Sequence, residues 1–368
     1  MDQLFLGSLA LSLALIAAGS SWILSFVSAR AARRMGAIDH PTGGRKIHVR
    51  SIPLLGGLGI GLTILLLAFP LHGSTASLFT DVHVRSIQVT GFFIGIVILL
   101  IGGILDDRFG LPARWQFLFP LIASLVVLWT GTGIIQVTNP LAHGAFSLSW
   151  WHMSFESPWH WDITLPSDLL TIAWLLVATY AVKILDGLDG LVTGLTVIGS
   201  GMVAALSLSL TYFQPPVALL AGLIGGSYLG FLPRNVNPAK QFLGESGSTI
   251  AGFSLGFLAI LSSAKVAIAL SVLAIPIADV AIVILGRIRR GQPWFRGDDT
   301  HLHFRLIKAG LSQRAAVLLY WGVSLVAGIF VLSLQTRGKI FFIILLCVAT
   351  ALASYIAGLR SRRAGKNV

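Results

Sequence analysis

Carboxylates and histidines occur in four short clusters, and each cluster adjoins a long apolar segment. In chain order the clusters are Asp106-Asp107, Asp186 with Asp189, Glu245, and Asp298-Asp299 with His301 and His303. Carboxylate oxygens are the ligands that Mg²⁺ prefers, usually together with substrate phosphates. Imidazoles nearby can carry protons or bind phosphate. The residue types therefore favour phosphoryl chemistry.

The Asp106-Asp107 pair ends an apolar segment that is predicted to be helical. A helix C-terminus carries partial negative charge, so two carboxylates there repel both the helix end and each other. A divalent cation would relieve this repulsion, and so would the neighbouring Arg108 and Arg114. The pair is therefore open to two interpretations, a metal-binding site and a solvated interfacial pair.

The stretch from Asp186 to Gly190 repeats the dipeptide Asp-Gly at a spacing of three residues. On a continuing helix, this spacing would place Asp186 and Asp189 on one face. The glycines end the helix and let a ligand approach the backbone. One Asp-Gly indicates only a turn, but two at a membrane boundary favour a functional site.

The last two clusters indicate phosphate binding. Glu245 lies in a Gly/Ser stretch before an apolar helix, and such a loop can cradle a phosphate or simply cap the helix. His301 and His303 have no soft ligands nearby that would complete a zinc site. Phosphate binding together with Arg305 suits them better.

The elements that must position these clusters are membrane-spanning helices. Only 11% of the 368 residues are charged and 55% are hydrophobic, whereas soluble domains carry about 25% charged residues. The single cysteine, Cys347, excludes a disulfide framework. We predict an all-α polytopic membrane protein that forms a single integral domain over 1–368. Eleven spans are expected near 3–28, 54–72, 88–105, 116–138, 168–185, 190–212, 216–233, 248–264, 266–286, 314–336 and 340–358.

Basic residues predict the orientation of these spans. Alternate connections hold 22 of the 26 Lys and Arg residues, which places the N-terminus outside and the C-terminus in the cytoplasm. The active site would then be formed by the cytoplasmic connections 29–53, 106–115, 183–189, 234–247 and 287–314. This bias accounts for most of the net charge of +12 without nucleic acid, and anionic lipid is a further expected partner. The outer connection 139–167 is rich in Trp and is expected to form a short interfacial hairpin around Phe146 to Trp150.

The residues resemble a known family, the polyprenyl-phosphate N-acetylhexosamine-1-phosphate transferases, which include the phospho-N-acetylmuramoyl-pentapeptide transferases. The resemblance runs from about Asp39 to Gly310 and covers six ordered motifs. The stretches that carry it are Asp39-His40-Pro41, Arg45-Lys46-Ile47-His48, Pro53, Gly56-Gly57, Leu105-Asp106-Asp107, Leu111-Pro112-Ala113-Arg114, Asp186-Gly187-Leu188-Asp189-Gly190-Leu191, Asn235 to Lys240, Phe242-Leu243-Gly244-Glu245-Ser246-Gly247-Ser248, Pro276, Asp279, 287–291 and His301-Leu302-His303-Phe304-Arg305-Leu306. Asp298, His301 and His303 form the pattern Asp-x-x-His-x-His. This pattern is more similar to that of the branch that uses UDP-N-acetylhexosamines than to that of the peptidoglycan branch.

The resemblance implies an eleven-span enzyme of the bacterial inner membrane. It would transfer a sugar-1-phosphate from a UDP-sugar to undecaprenyl phosphate, release UMP, use Mg²⁺ or alternatively Mn²⁺, and begin a cell-surface polysaccharide pathway. The implied catalytic residues are Asp106, Asp107, Asp186, Asp189, His301 and His303. The implied substrate-binding residues are Lys46, His48, Arg114, Lys183, Asn235, Phe242 and Arg305, and the implied metal ligands are Asp107 and Glu245. A homodimer is the oligomer to test.

The sequence departs from the family pattern at four positions. Tyr180 and Lys183 stand where Asn is usual, Glu245 where Asp is usual, and Phe304 where His is usual. These departures leave a second hypothesis open, a scaffold that binds polyprenyl phosphate or UDP-sugar without turnover. A transporter is disfavoured because the spans contain almost no charge apart from Asp279.

Overall fold

The computed structural model of the protein describes residues 3–41, 50–72, 84–139, 144–155, 161–210, 212–262, 266–292, 300–334 and 336–364. Most of these residues are helical. The helices are α1 Gln3–Met35, α2 Gly56–His72, α3 Ser86–Phe109, α4 Ala113–Trp129, α5 Ser167–Leu185, α6 Leu191–Ser207, α7 Pro215–Asn235, α8 Gly244–Leu261, α9 Val266–Arg289, α10 Leu302–Lys308, α11 Gln313–Ser333 and α12 Thr336–Ala364.

Each of the eleven predicted spans corresponds to a helix, and the short α10 is additional. Six helices are long and apolar enough to cross a bilayer: α1, α3, α5, α7, α11 and the Arg337–Leu359 part of α12. The chain is therefore a multi-pass membrane protein. Large apolar side chains on α1, α11 and α12 are exposed, as a lipid-facing surface requires.

The chain is mostly helical, as predicted, and three two-stranded antiparallel sheets accompany the helices. Their strands are β1 Ile38–Asp39 with β2 Ile52–Pro53, β3 Gln136–Thr138 with β4 Ala145–Ser147, and β5 Ser149–Phe155 with β6 Trp161–Pro166. The expected hairpin is in fact divided between β4 and β5. Leu148 lies between those two strands, and its backbone N–H donates to the carbonyl of Ile135. Trp150 on β5 remains exposed, as an interfacial aromatic residue would be.

The core is built around α7 and α8. Helix α7 packs mainly against α1 and α6, and α8 packs against α5 and α3. Phe92 on α3 stacks on Phe253 and Phe257 of α8, with ring centroids 5.8 and 4.6 Å apart. These aromatic contacts bury the middle of both helices and fix α3 against α8.

Small residues bring helix ends together at one end of the bundle. A Cβ on Gly103 of α3 would lie 2.3 Å from the backbone of Ser246, in the first turn of α8. A Cβ on Gly57 of α2 would lie 2.1 Å from the backbone N of Gly247. No larger residue fits at either contact, so glycine allows the start of α8 to approach α2 and α3 closely.

Candidate active site

A cavity of about 930 Å³ opens at this end of the bundle. It is lined by the connections that follow α3, α5 and α7 and by the segment after β1. Eight of the residues predicted to form the site line it: Asp106, Asp107, Lys183, Asp186, Asp189, Asn235, Phe242 and Glu245. Residues more than 130 positions apart in sequence therefore meet at one place.

Asp106 lies in the last turn of α3, and one of its oxygens is held in position. Its Oδ1 accepts hydrogen bonds from the backbone N–H of Leu111 at 2.6 Å and from Nε2 of Gln116 at 3.1 Å. Gly110 ends the helix in a left-handed conformation (φ +63°), which lets the chain turn back over Asp106. The loop after α3 therefore orients this carboxylate.

Asp107 joins α3 to the start of α8. Its Oδ1 accepts a hydrogen bond from the backbone N–H of Glu245 at 2.9 Å, so the carboxylate caps the positive end of that helix. Its Oδ2 is buried and has no hydrogen-bond partner among the described residues. Gly244, at φ +76°, leaves room for this oxygen, since a Cβ there would lie 2.4 Å from Oδ2. Asp107 thus offers one oxygen to a ligand.

Lys183 lies in the last turn of α5 and forms an ion pair with Oε1 of Glu245. Its Nζ also donates to Oε1 of Gln116 at 2.8 Å and lies 5.4 Å from the centre of the Tyr180 ring. Three of the four departures from the family pattern, Tyr180, Lys183 and Glu245, therefore lie together, with Lys183 and Glu245 lining the cavity.

Asp186 and Asp189 lie in a turn rather than on a helix face, because α5 ends at Leu185 and α6 begins at Leu191. The glycines end the helix as expected, so the two carboxylates do not share a helix face, although both residues line the cavity. Oδ2 of Asp189 accepts hydrogen bonds from Nδ2 of Asn237 and the N–H of Ala239, both at 3.0 Å.

The Asp186 carboxylate is less well stabilised by hydrogen bonds than that of Asp189. It accepts no hydrogen bond from the described residues, and burial, followed by the charges of Glu245 and Asp189, raises its pKa to about 7. A cation in the cavity would favour its ionised form.

Asn235 lines the cavity, but its side chain is engaged by the protein. Its Oδ1 accepts from the N–H of Gly190 at 3.2 Å and from the hydroxyl of Thr193 at 2.6 Å, and its Nδ2 donates to the carbonyl of Gln241 at 3.1 Å. The amide thus holds the Asp186–Gly190 turn against the loop before α8.

The two histidines lie behind the cavity wall rather than on it. His301 Nδ1 lies 3.0 Å from Oδ2 of Asp279, whose other oxygen accepts from the N–H of Leu302. His303 is fully buried, and its Nε2 faces Gly187, where a Cβ would be only 2.5 Å away. Burial lowers the pKa of His303 to about 4, so the ring is neutral at physiological pH. Phe304, whose ring is tilted by 46° against that of His303 with centroids 4.2 Å apart, is the side chain that lines the cavity.

Two predicted binding residues within the described part of the chain do not line this cavity. Arg114 is exposed on α4. Arg305 donates from Nη1 to the carbonyl of Ser354 on α12 at 2.9 Å. Lys46 and His48 lie outside the described residues, so their roles stay predictions.

Sequence reasoning missed Gln116 as a site residue. Its side chain links Lys183 to Asp106, and nothing in its type or spacing marks it out, because neutral amides at helix starts are common.

The carboxylates fit a divalent cation. The cavity gathers oxygen donors, the ligand type that Mg²⁺ and Mn²⁺ prefer, and Oδ2 of Asp107 is buried with no partner in the part of the chain that the structure describes. Among the described residues, no three His, Cys, Asp or Glu side chains are grouped closely enough to enclose a metal ion. Mg²⁺ commonly takes one or two carboxylates together with substrate phosphates and water.

Comparison with known proteins gives consistent matches. A sequence model described as glycosyl transferase family 4 matches residues 89–263. The "Probable undecaprenyl-phosphate N-acetylglucosaminyl 1-phosphate transferase" of Bacillus subtilis is 30% identical over 92% of this chain and 89% of its own length. The decaprenyl-phosphate N-acetylglucosaminephosphotransferase of Mycobacterium leprae is 30% identical, over 80% of this chain and 76% of its own. The phospho-N-acetylmuramoyl-pentapeptide-transferase of Moorella thermoacetica is 31% identical, over 63% and 70%.

Proposed function

The chain belongs to glycosyl transferase family 4, and from that membership we propose that it transfers N-acetylhexosamine-1-phosphate from a UDP-sugar to a polyprenyl phosphate. The relatives that align over 92% and 80% of this chain are named for N-acetylglucosamine-1-phosphate transfer to undecaprenyl and decaprenyl phosphate. A relative named for the pentapeptide substrate aligns over less of this chain. These names favour a UDP-N-acetylhexosamine donor, undecaprenyl phosphate as the acceptor, and a role in beginning a cell-surface polysaccharide.

One structural observation carries the proposal. Carboxylates from α3, α8 and the turn after α5 meet in one cavity at the end of a membrane helix bundle. A lipid phosphate held at the bilayer surface and a water-soluble nucleotide sugar can both reach such a place. Asp106, Asp107 and Asp186 are the residues expected to act there.

The reaction breaks one phosphoanhydride bond and makes another. An oxygen of the lipid phosphate forms a bond to the β-phosphorus of the UDP-sugar, and the bridging oxygen leaves with UMP. Asp106 either activates the lipid phosphate or attacks the β-phosphorus first, in a two-step route. Asp189 and Phe242 line the nucleotide-sugar side of the cavity in this proposal, with Phe242 stacking on uracil.

Asp107 and Glu245 are proposed to hold the divalent cation. When bound, Mg²⁺ or Mn²⁺ would neutralise charge on the pyrophosphate. Lys46 and His48 are proposed to add positive charge around the phosphates, whereas Arg114 and Arg305 do not line the cavity and are given no role there. The buried His303 is neutral at physiological pH, so with His301 it would position the Asp186–Gly187 turn rather than supply charge.

The proposed topology has eleven spans, an outer N-terminus and a cytoplasmic C-terminus, in the bacterial inner membrane. It is supported by the location of 22 of the 26 Lys and Arg residues in connections on one side. The cavity would then face the cytoplasm, where UDP-sugars are made. A homodimer is the assembly to test, and no nucleic acid partner is proposed.

The test uses purified protein in detergent with a panel of UDP-sugars, undecaprenyl phosphate and Mg²⁺. We expect UMP release with a UDP-N-acetylhexosamine, and loss of release in Asp106→Asn with unchanged gel-filtration behaviour. Undiminished turnover in Asp106→Asn would remove the assignment of Asp106. Binding of polyprenyl phosphate without UMP release from any donor would instead favour the scaffold alternative.

A further inference from the structure

Lys183 places a positive charge inside the carboxylate cluster. Its Nζ is paired with Oε1 of Glu245, and both side chains are largely buried, with exposed fractions of 17% and 16%. Exposed ion pairs contribute little, whereas a pair removed from water holds its geometry because either charge alone is costly to bury. Lys183 therefore occupies one oxygen of Glu245 firmly.

Neighbouring side chains fix the position of this ammonium group. Gln116 accepts a hydrogen bond from Nζ at 2.8 Å through Oε1 and donates through Nε2 to Oδ1 of Asp106 at 3.1 Å. Tyr180 supplies a ring face 5.4 Å from Nζ, and its hydroxyl donates to the carbonyl of Gln116 at 3.3 Å. The ammonium is therefore built into the cavity wall.

Glu245 also contacts Asp107, through its backbone. The backbone N–H of Glu245 binds Oδ1 of Asp107, whose Oδ2 is buried and has no partner among the described residues. A divalent cation that binds Asp107 and Glu245 together would lie within a few Å of the Lys183 ammonium. Like charges at such a separation repel each other in the partly buried cavity, so the ammonium opposes a cation at this place.

We propose that Lys183 is a built-in counter-cation of Glu245, which competes with a divalent metal ion for that carboxylate and thereby sets the metal affinity of the cavity. Metal binding at Glu245 then requires the ammonium to move away, towards Gln116 or a substrate phosphate. That the bound metal serves sugar-phosphate transfer rests on the proposed function, but the competition itself does not.

Mn²⁺ titration without donor or acceptor tests the competition. The loss of the free Mn²⁺ signal in electron paramagnetic resonance reports binding to the detergent-purified, full-length protein. Lys183→Met removes the charge at nearly constant size and should tighten Mn²⁺ binding about tenfold. Lys240→Met is the matched control, because Lys240 also lines the cavity but its side chain is exposed.

A second variant pair tests whether Glu245 is the shared ligand. In Glu245→Gln, the further change Lys183→Met should no longer tighten Mn²⁺ binding. If Lys183→Met does not fold, Lys183→Gln, which keeps a donor to Gln116, takes its place.

Three results would overturn the proposal. In the first, Lys183→Met raises the Mn²⁺ affinity no more than Lys240→Met does. In the second, Lys183→Met raises the affinity just as much in the Glu245→Gln background. In the third, neither wild type nor Lys183→Met binds Mn²⁺. UMP release is not part of this measurement, so its failure and that of the proposed function are distinguishable.

Discussion

At the scale of single residues, some polar groups in the cavity are already hydrogen-bonded within the protein, and others still have an atom that can bind a ligand. The side-chain amide of Asn235 is hydrogen-bonded through both its oxygen and its nitrogen, to Gly190, Thr193 and Gln241. Asp107, by contrast, has one oxygen without a hydrogen-bond partner in the described part of the chain. Residue type alone does not separate these cases, because most of the hydrogen bonds come from neighbours 40 or more positions away.

Asn235→Ala is expected to destabilise the protein before it affects donor binding. The change leaves the buried partners of the amide unpaired, at a cost of about 1–3 kcal/mol for each unsatisfied group. A lower midpoint of thermal unfolding in detergent, with a smaller loss in Thr193→Val, is the expected result. An unchanged midpoint together with a raised KM for the UDP-sugar would instead assign Asn235 to substrate binding.

The carboxylates themselves were predictable from the sequence, since their positions beside apolar segments follow from the chain order. The pairing of Lys183 with Glu245 was not, because α5 and α8 are separated by more than 50 residues and their packing sets the contact. The end of α5 at Leu185 was predictable from the paired glycines, whereas the conformation of the turn that holds Asp186 and Asp189 was not.

At the scale of elements, the geometry of the site depends on how closely α3 and α8 approach. The stacked rings of Phe92, Phe253 and Phe257 hold the middle of the two helices together, and Gly103 lets their ends meet beside Ser246. The hydrogen bond from Glu245 to Asp107 lies one helical turn further on. Displacing either helix would therefore separate Asp107 from Glu245.

Gly103→Ala is expected to reduce both stability and transfer. The new Cβ would meet backbone atoms of Ser246 at 2.3 Å, which cannot yield as a flexible side chain can. Overpacking of this kind costs about 1–3 kcal/mol. Thermal unfolding is the measurement. Gly201→Ala on α6 is the control, because a Cβ there has nothing within 4 Å and should leave the midpoint unchanged or slightly raised. Equal midpoints in the two variants would contradict this account of the α3–α8 contact.

At the scale of the whole molecule, the number and order of helices followed from hydropathy, while the strands did not. The segments from β3 to β6 are short, and the long-range pairing that forms them has only a weak sequence signal. The Trp-rich hairpins and the carboxylate cavity lie at opposite ends of the bundle, because α5 connects β6 to the Asp186 turn. The two ends are therefore expected to face different sides of the membrane.

The single cysteine makes this topology testable by thiol labelling. In a Cys347→Ser background, Trp150→Cys should react with a membrane-impermeant maleimide added to intact spheroplasts. Lys308→Cys should react only after the membrane is permeabilised. Labelling of both positions from the same side would contradict the proposed orientation.

The central claim is that the cavity around Asp106 joins a sugar phosphate to a polyprenyl phosphate. Its most direct test measures UMP and glycolipid together, from a radiolabelled UDP-N-acetylhexosamine, in wild type and in Asp106→Asn. The account predicts that wild type forms both products in equal amounts, only when polyprenyl phosphate is present, and that Asp106→Asn forms neither. Continued UMP release without the lipid, beyond the one equivalent per protein that a two-step route would give, or equal glycolipid formation by Asp106→Asn, would contradict it.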